Sequence, residues 1–222
     1  RRAVTNMKTI VIIPAYEPEE KLIPLTQQLI AKDLEVVVVV VDDGSGEKYL
    51  PIFNQLTGAT VLTHSENKGK GEGLKTAYRY IKETYANEEV AIVTADSDGQ
   101  HSPEDIMRIA TRASLENDSL VLGVRNFDGT HVPLRSRVGN KITLKIFELT
   151  SGTKISDTQT GLRGFSSTHL DKMLEISGSR FEYEMNVLMV WAKEKRPFCE
   201  LEIQTIYENK NEGSHFNPLR DS

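Results

Sequence analysis

The chain has 222 residues, of which 38% are hydrophobic and 27% are charged, and its formal net charge at pH 7 is −5. This length and balance predict one large soluble domain, or a domain with a lobe, that has a sizeable core rather than a disordered chain. The acidic balance argues against broad nucleic-acid binding, and the sequence contains no run of about 18 apolar residues that would span a membrane. The single cysteine excludes an internal disulfide bond and suits a reducing compartment.

Strand and helix patterns alternate along the first 125 residues. Strands are predicted at 9–13, 35–41, 60–63, 90–94 and 120–124, and helices at 22–31, 48–56, 71–85 and 102–117. The six valines at 36–41 are typical of a strand that is buried on both faces. Ser102 and Pro103 suit the cap and the first turn of the helix that follows them. The alternation predicts an α/β fold with a mostly parallel central sheet and helices on both faces.

The remainder of the chain is less regular. Helices are predicted at 138–149 and 181–195, a polar segment at 156–164 and a strand at 200–207. We interpret Met7 as the natural start, with 1–6 as an added tail, 7–207 as one folded domain and 208–222 as a polar tail.

The segment 94–101 carries two carboxylates directly after an apolar strand. Asp96 and Asp98 are two residues apart, so their side chains point the same way in an extended segment. Paired oxygen donors suit Mg²⁺ or Mn²⁺, which keeps water ligands and binds substrate phosphates. Asp, Ser and Gly residues are also common in ordinary turns, which is the alternative interpretation of this segment. The spacing of an EF-hand loop is absent. His101 would either add a metal ligand or cap the next helix.

Two further predicted strands end at the same rim, because the carboxyl ends of parallel strands meet at one edge of a sheet. The first ends in the segment 14–18, where Tyr16 offers a ring for base stacking. The second ends in 42–46, where Asp42 is our choice to accept a pyrimidine imide N–H, although a plain loop is the alternative.

The Gly- and Lys-containing segment 67–71 precedes a predicted helix. Its glycines and lysines would approach a diphosphate, or they would simply form a solvated helix start. It lacks the P-loop spacing, and the glycines of 44–46 do not continue into a dinucleotide-binding fingerprint.

The later half supplies cations and further carboxylates. Arg135 and Arg137 would clamp a phosphate in two places, or they would form a solvated basic loop. Glu182 and Glu184 open a predicted helix, where an acidic residue either enters the pocket or favours the helix N-terminus. No strong amphipathic membrane anchor is evident.

As an ordered set, these motifs resemble family 2 glycosyltransferases with the GT-A nucleotide-diphospho-sugar transferase fold. The resemblance is greatest to the polyprenyl-phosphate sugar transferases, and it runs from about 9 to 207. Its carriers are the segments 14–17, 42–45, 67–71, 96–104, 135–137 and 157–163. This chain departs from the family pattern with Glu17-Pro18 in place of Asn-Glu, and with Ser97 where alanine is commoner.

The resemblance implies that 7–207 is a catalytic domain with a nucleotide- and metal-binding half, 7–124, and an acceptor half, 125–207. It also implies a role for each matching position. The metal, Mg²⁺ or Mn²⁺, would be held by Asp96, Asp98 and Gln100. Catalysis would involve Asp98 together with Arg125, Arg135 and Arg137. Substrate binding would involve Pro14, Tyr16, Glu17, Asp42, Asp43, Lys70, Asp96, Ser136, Gln159 and Arg163.

The predicted activity is inverting transfer of a hexose or N-acetylhexosamine from a UDP-sugar to polyprenyl phosphate. Transfer to a hydroxyl needs a general base, whereas a lipid phosphate is already anionic near pH 7 and needs positive charge instead. The alternatives are transfer to a saccharide hydroxyl, or a nucleotide-sugar-binding module without turnover. The expected location is the cytoplasmic face of a bacterial plasma membrane, with membrane helices following residue 222; homo-oligomer formation is left open.

Overall fold

A computed structural model of the protein describes residues 7–126 and 134–204, and for 134–140 it describes the backbone alone. The strands are β1 (Thr9–Ala15), β2 (Val36–Asp42), β3 (Thr60–Thr63), β4 (Ala91–Thr94), β5 (Leu120–Arg125), β6 (Arg163–Ser166) and β7 (Phe198–Ile203). The α-helices are α1 (Leu22–Ile30), α2 (Leu50–Phe53), α3 (Lys70–Thr84), α4 (Pro103–Leu115), α5 (Leu134–Ser151), α6 (Leu170–Glu175) and α7 (Glu182–Lys193). Short 3₁₀ turns at Glu47–Tyr49 and Ser167–His169 precede α2 and α6.

The seven strands form one sheet in the order β3-β2-β1-β4-β6-β5-β7. Every neighbouring pair is parallel except the two that involve β6, which runs antiparallel to β4 and β5. The predicted mostly parallel sheet is therefore confirmed, and β6 is its one reversed strand within the described residues.

Helices cover both faces of the sheet, as predicted. Alternate residues of β1 enter different cores: Ile10 and Ile12 pack with α3 and α7, whereas Val11 and Ile13 pack with α1 and α4. The valine run behaves in the same way, since successive side chains of a strand point to opposite faces. A strand whose two faces are both covered needs apolar residues at every position, which explains the unbroken run.

The predicted start of α4 is confirmed at atomic level. Ser102 has an extended backbone, and its Oγ accepts a hydrogen bond from the backbone N–H of Asp105 at 3.1 Å. Pro103 occupies the first turn, where its missing N–H costs nothing.

The sequence patterns did not predict β6 or α6. The segment 156–164 was expected to be polar loop, yet its last residues enter the sheet between β4 and β5. Gly164 permits this insertion, because an added Cβ would lie 2.7 Å from the side chain of Ile109 on α4. Three predicted segments lie wholly or partly outside the described residues: the added tail 1–6, the end of the strand 200–207 and the tail 208–222. Among the residues described, no helix is long and apolar enough to cross a bilayer.

Candidate active site

The carboxyl ends of β1, β2 and β4 meet at one rim of the sheet. In the parallel ladders Ala15 pairs with Asp42, and Ile12 pairs with Thr94. The segments that follow these three strands are therefore neighbours, although they are far apart in sequence. This places the predicted nucleotide- and metal-binding motifs together, as the parallel topology requires.

The loop after β2 is held by its own aspartate and by the β1 segment. Asp42 is 3% exposed, and its Oδ1 accepts the backbone N–H of Ser45 at 2.9 Å. The Oγ of Ser45 in turn accepts the backbone N–H of Glu17 at 2.9 Å. Gly44 has a φ of +73°, and a Cβ there would lie 2.6 Å from the backbone nitrogen of Asn67. Asp42 thus shapes the rim, and among the described residues no hydrogen bond is seen to its second carboxylate oxygen, which could receive an imide N–H.

Asp43 forms a buried network beneath the rim. Its Oδ1 contacts His64 Nδ1 at 2.7 Å and accepts the N–H of Lys68 at 2.8 Å, while Oδ2 accepts the N–H of Gly69 at 2.8 Å. His64 Nε2 lies 2.8 Å from the Oγ1 of Thr76 on α3. With 3% exposure, Asp43 fixes the loop that precedes α3, so this geometry favours a structural role over the predicted contact with substrate.

Tyr16 and Glu17 lie at the mouth of the site. Tyr16 is 37% exposed, which leaves ring surface at the rim. Partial burial and the adjacent charge of Glu17 raise the pKa of Tyr16. Glu17 adopts a φ of +49°, a left-handed conformation that is uncommon for a residue other than glycine, and its Oε2 accepts a long hydrogen bond from Tyr49 at 3.4 Å. The positions of both residues are compatible with their predicted roles, which stay predictions.

Asp96 lies at the centre of the site. Lys70 Nζ approaches its Oδ1 at 2.6 Å, and His101 Nε2 lies 3.3 Å from its Oδ2. Burial opposes ionisation of this carboxyl, but the charge of Lys70 and the contact with His101 outweigh it and hold the pKa of Asp96 well below its usual range. Gly161 lies directly against the carboxylate, since a Cβ there would be 2.6 Å from Oδ1.

Lys70 connects Asp96 to a residue from the second half of the chain. Its Nζ also lies 2.8 Å from Oε2 of Glu184 on α7. Although burial lowers the pKa of a lysine, the two carboxylates raise the pKa of Lys70 well above its usual value. The other oxygen of Glu184, Oε1, is buried and has no hydrogen-bond partner among the described residues.

The structure separates the two glutamates at the start of α7. Glu182 Oε1 accepts the N–H groups of Ser179 and Arg180 at 2.9 and 3.2 Å, so this residue serves the helix N-terminus. Glu184, two residues later, enters the site instead. The sequence offered both roles for both residues, and only the placement of α7 distinguishes them.

Asp98 and Gln100 occupy the outer part of the turn. The Oδ1 of Asp98 accepts the backbone N–H of Gln100 at 3.0 Å, and the side chain of Gln100 is exposed. Burial, together with the charge of Asp96, raises the pKa of Asp98. Two carboxylates on one turn, one of them destabilised as an anion, form an arrangement that a divalent cation would neutralise.

The oxygen donors of the site suit Mg²⁺ or Mn²⁺ that takes part of its ligands from water and substrate, rather than a metal ion whose ligands all come from the protein. Among the described residues no group of three or more His, Cys, Asp or Glu side chains is arranged to hold a metal ion. Asp96 and Asp98 offer hard oxygen atoms, and the Lys70 ammonium shows that the site already stabilises positive charge beside Asp96. A hard cation bound by one or two carboxylates takes its other ligands from water and phosphate.

Arg125, to which the resemblance gives a role in catalysis, is paired within the protein. Its Nε and Nη2 donate to the two oxygens of Asp157 at 2.8 and 3.0 Å, a bidentate arrangement. Asp157 is fully buried, and its Oδ1 also accepts the N–H of Gln159, whose side chain is exposed. The geometry therefore makes Arg125 an anchor for the 157–159 segment.

Arg163 lies deeper than its predicted role in substrate binding requires. It is 4% exposed, its Nε donates to the carbonyl of Thr160 at 2.9 Å, and its Nη1 donates to the carbonyl of Glu184 at 2.7 Å. Arg163 thus connects β6 to α7 and supports Glu184. Arg135, Ser136 and Arg137 lie on the first turns of α5, but their side chains are outside the described residues.

The family model for glycosyl transferase family 2 matches residues 10–174, which include all three strand ends of the site. The chain belongs to glycosyl transferase family 2. Its GT-A fold agrees with that of a solved structure, glucosyl-3-phosphoglycerate synthase from Mycobacterium tuberculosis in complex with Mn²⁺, UDP and phosphoglyceric acid. The TM-score is 0.69 at 16% sequence identity, with 92% of this chain and 72% of that chain covered.

Two family 2 relatives are similar over most of their length. The UDP-N-acetylglucosamine–dolichyl-phosphate N-acetylglucosaminyltransferase of Methanococcus voltae is 30% identical, with 88% of this chain and 84% of that protein covered. The polyprenol monophosphomannose synthase of Mycolicibacterium smegmatis is 24% identical, with 94% and 80% covered. These likenesses confirm the resemblance found in the sequence and support glycosyltransferase activity.

Proposed function

We propose that this family 2 glycosyltransferase moves a hexose or N-acetylhexosamine from a UDP-sugar to a polyprenyl phosphate, with inversion at the anomeric carbon. The observation that carries the proposal is the Asp96–Lys70–Glu184 arrangement beside Asp98, where three strand ends meet. It combines donors for a divalent cation with a buried ammonium, which are the groups that a departing diphosphate requires. The names of both family relatives, which act on dolichyl phosphate and on polyprenol, support the acceptor class.

The donor would bind across the first half of the chain. Tyr16 would stack on the base, Asp42 would accept its imide N–H, and Pro14 and Glu17 would complete the nucleoside pocket. The preference for uridine agrees with the UDP-sugar in the name of the Methanococcus voltae relative.

Asp96 and Asp98, with Gln100, would hold Mg²⁺ or Mn²⁺, and this ion would stabilise negative charge on the leaving nucleoside diphosphate. Lys70 lies within reach of the same charge, since its Nζ is 2.6 Å from Asp96. We propose that Glu184 holds the Lys70 ammonium in place when Asp96 binds the metal ion. Gly161, whose missing side chain lets Asp96 lie against the backbone, sets the position of that carboxylate.

A phosphate acceptor makes the chemistry balance without a general base. One acceptor oxygen forms a bond to the anomeric carbon as the bond from that carbon to the diphosphate oxygen breaks, and no proton has to move. Positive charge near the acceptor would come from Arg135 and Arg137 on α5. Arg125 is paired with Asp157, so we assign it mainly to positioning the 157–159 segment. Direct contact with the acceptor phosphate would be a smaller part of its role.

One observation favours a hydroxyl acceptor as the second candidate. Glu184 lies in the site with a buried oxygen that lacks a partner among the described residues, and a carboxylate so placed would accept a hydroxyl proton. Glu184→Gln separates the two cases. Transfer to a phosphate should persist with weakened donor binding, whereas transfer to a hydroxyl should be lost, and this loss should persist at saturating donor.

The donor is tested by thermal shifts with UDP, GDP and CDP, each with and without Mn²⁺. A ligand that binds the folded state alone raises the melting temperature. We expect a Mn²⁺-dependent shift with UDP that Asp98→Asn removes. A Mn²⁺-dependent shift with GDP alone would contradict the uridine assignment. No shift with any nucleotide would contradict the proposed donor site.

The lipid acceptor would confine turnover to a membrane surface, and the cytoplasmic face remains our proposal. The division into a donor half, 7–124, and an acceptor half, 125–207, likewise stays a prediction. The Lys70–Glu184 ion pair crosses that division, so the two halves would contribute jointly to the donor site.

A further inference from the structure

Helix α5 exposes apolar side chains on the face that points away from the sheet. Ile142, Ile146 and Leu149 are 56%, 57% and 74% exposed, at spacings of four and three residues that align them along one side of a helix. On the opposite side Phe147 is 2% exposed and belongs to the core. We call these three residues the α5 stripe.

The α5 stripe is concentrated rather than scattered. Other exposed large hydrophobic side chains of the described residues, such as Leu34 and Leu115, lie on other elements. Single exposed apolar residues are normal on a soluble protein, whereas an aligned group indicates a surface that contacts an apolar partner.

Two lysines flank the α5 stripe. Lys141 and Lys145 are exposed and one helical turn apart, and they lie along the same edge of the stripe as the exposed Glu148, so this edge keeps a net positive charge. They stand out on a chain with a net charge of −5, which gives no general attraction to anions. An apolar stripe with cations along its edge complements an anionic lipid surface, because the stripe enters the acyl boundary while the ammonium groups contact headgroups.

Helix α5 is also fixed beside the proposed active site. Its Thr143 accepts a hydrogen bond from the Oγ1 of Thr158 at 2.9 Å. Thr158 follows Asp157, the partner of Arg125, and the same segment continues to Gly161 against Asp96. The helix that carries the α5 stripe therefore contacts the segment that lines the site.

We propose that the α5 stripe, with Lys141 and Lys145, docks the enzyme on the surface of an anionic lipid bilayer and so presents the site to a membrane-embedded acceptor. The link to the acceptor rests on the proposed function, while the docking itself does not. A helix lying in the interface buries its apolar face in the region between headgroups and acyl chains. Because α5 contacts Thr158, docking through this helix would bring the 157–161 segment close to the lipid headgroups.

The first test is flotation of the 222-residue chain with vesicles of phosphatidylglycerol and phosphatidylcholine. The test variant is Ile142→Gln/Ile146→Gln/Leu149→Gln, and the matched control is Leu34→Gln/Leu50→Gln/Leu115→Gln, which removes three exposed apolar side chains elsewhere. We expect the test variant to lose about tenfold or more of its vesicle affinity and the control to retain it. Lys141→Gln and Lys145→Gln should each cost about fivefold, and only on anionic vesicles.

Equal vesicle binding by the wild type and the test variant would overturn the proposal, as would absence of binding by the wild type. Sedimentation velocity examines a second copy as the occupant. A wild-type dimer that the test variant abolishes, without any vesicle binding, would assign the α5 stripe to self-association and overturn the proposal.

Activity assays distinguish this proposal from the proposed function. With a short-chain, water-soluble polyprenyl phosphate the test variant should turn over like the wild type, and with a long-chain acceptor in vesicles it should be slower. Equal loss in both assays would show damage to the site and contradict docking as the cause. If the wild type transfers sugar to neither acceptor yet binds vesicles through the α5 stripe, the proposed function fails and the docking surface stands.

Discussion

Two strand ends of this protein carry paired carboxylates, and the structure treats them differently. Asp42 is the last residue of β2 and Asp43 follows it. Each is 3% exposed, and the pair is bound by backbone N–H groups and by His64. Asp96 and Asp98 follow β4 and retain contact with solvent. The side-chain partners of Asp96 are Lys70 and His101. The first pair fixes loops, and the second pair presents charge.

The comparison shows how one rim combines rigidity with reactivity. Backbone N–H groups bound to a buried carboxylate hold two loops in one geometry, because releasing them leaves unsatisfied polar groups. A carboxylate held by an ammonium keeps a partner that can be exchanged for another cation. The partners of each pair, more than its residue types, thus indicate which carboxylates hold loops and which present charge, and Asp42 has its proposed contact with the base in addition.

The largest effect is expected from Asp98→Asn, which should lower sugar transfer about a thousandfold if a metal contributes about 4 kcal/mol of charge stabilisation. Because the folded-state pKa of Asp98 is raised, its ionised form destabilises the folded chain at pH values above that pKa, and this penalty disappears as the pH falls through it. The variant should therefore melt at a higher temperature than the wild type in neutral buffer with EDTA.

Steady-state kinetics and thermal melts measure both quantities. Exposed Asp33→Asn serves as the control and should change neither. Near-normal turnover of the Asp98 variant would remove Asp98 from the metal site and place both strand ends in the structural class.

Asp43→Ala should have its main effect on stability, in contrast to Asp98→Asn, whose main effect is expected on turnover. It leaves two backbone N–H groups and His64 without their carboxylate, so we expect a loss of about 3 kcal/mol in the free energy of unfolding, measured by urea denaturation. Asp33→Ala removes an exposed aspartate with one backbone partner and should cost within about 0.5 kcal/mol. Similar losses in the two variants would refute the structural role of Asp43.

Gly161→Ala tests whether the backbone beside Asp96 sets the position of that carboxylate. The new Cβ would lie 2.6 Å from Oδ1 of Asp96, so the carboxylate must move, and Mn²⁺ affinity in the presence of UDP should fall about 10- to 100-fold. Titration calorimetry measures this change. Gly73→Ala is the control, since its Cβ would have ordinary contacts of 3.6 Å or more. Unchanged affinity in the Gly161 variant would show that the position of Asp96 does not matter to the metal.

The smallest effect is expected from Thr76→Val, which removes the partner of His64 Nε2 at the outer end of the Asp43 network. We expect about 1 kcal/mol of lost stability and unchanged kcat. Thr111→Val, in which an exposed hydroxyl bonded to its own helix is lost, should cost less. A change in kcat without loss of stability would mean that the Asp43 network acts on the chemistry directly.

Much of the fold followed from local pattern. The valine run, the Ser102 cap and the helical spacing of α3 each have a local physical cause, and the structure confirms them. β6 was missed because four residues in a polar setting carry no periodicity, and their strand conformation depends on partners in β4 and β5. The stripe on α5 was missed because exposure of an apolar residue is decided by what packs beside it.

The candidate site was predicted as a set of motifs but not as a set of contacts. Lys70 was assigned to a diphosphate from its glycine-rich surroundings, while its pairing with Glu184 requires α7 to pack beside α3. Arg125 and Arg163 were chosen as cations for a substrate. Both have internal partners, because Asp157 and the Glu184 carbonyl are brought to them from elsewhere in the chain.

The sequence by itself determined the mostly parallel character of the sheet, the order of its acidic strand ends and the family, since alternation, turn chemistry and ordered motifs are properties of neighbouring residues. Tertiary structure alone decided which carboxylates are saturated, which arginines are already paired and which face of α5 reaches solvent. Those properties depend on burial and on partners distant in sequence, because a charge is stabilised by whatever the fold places within about 3 Å of it.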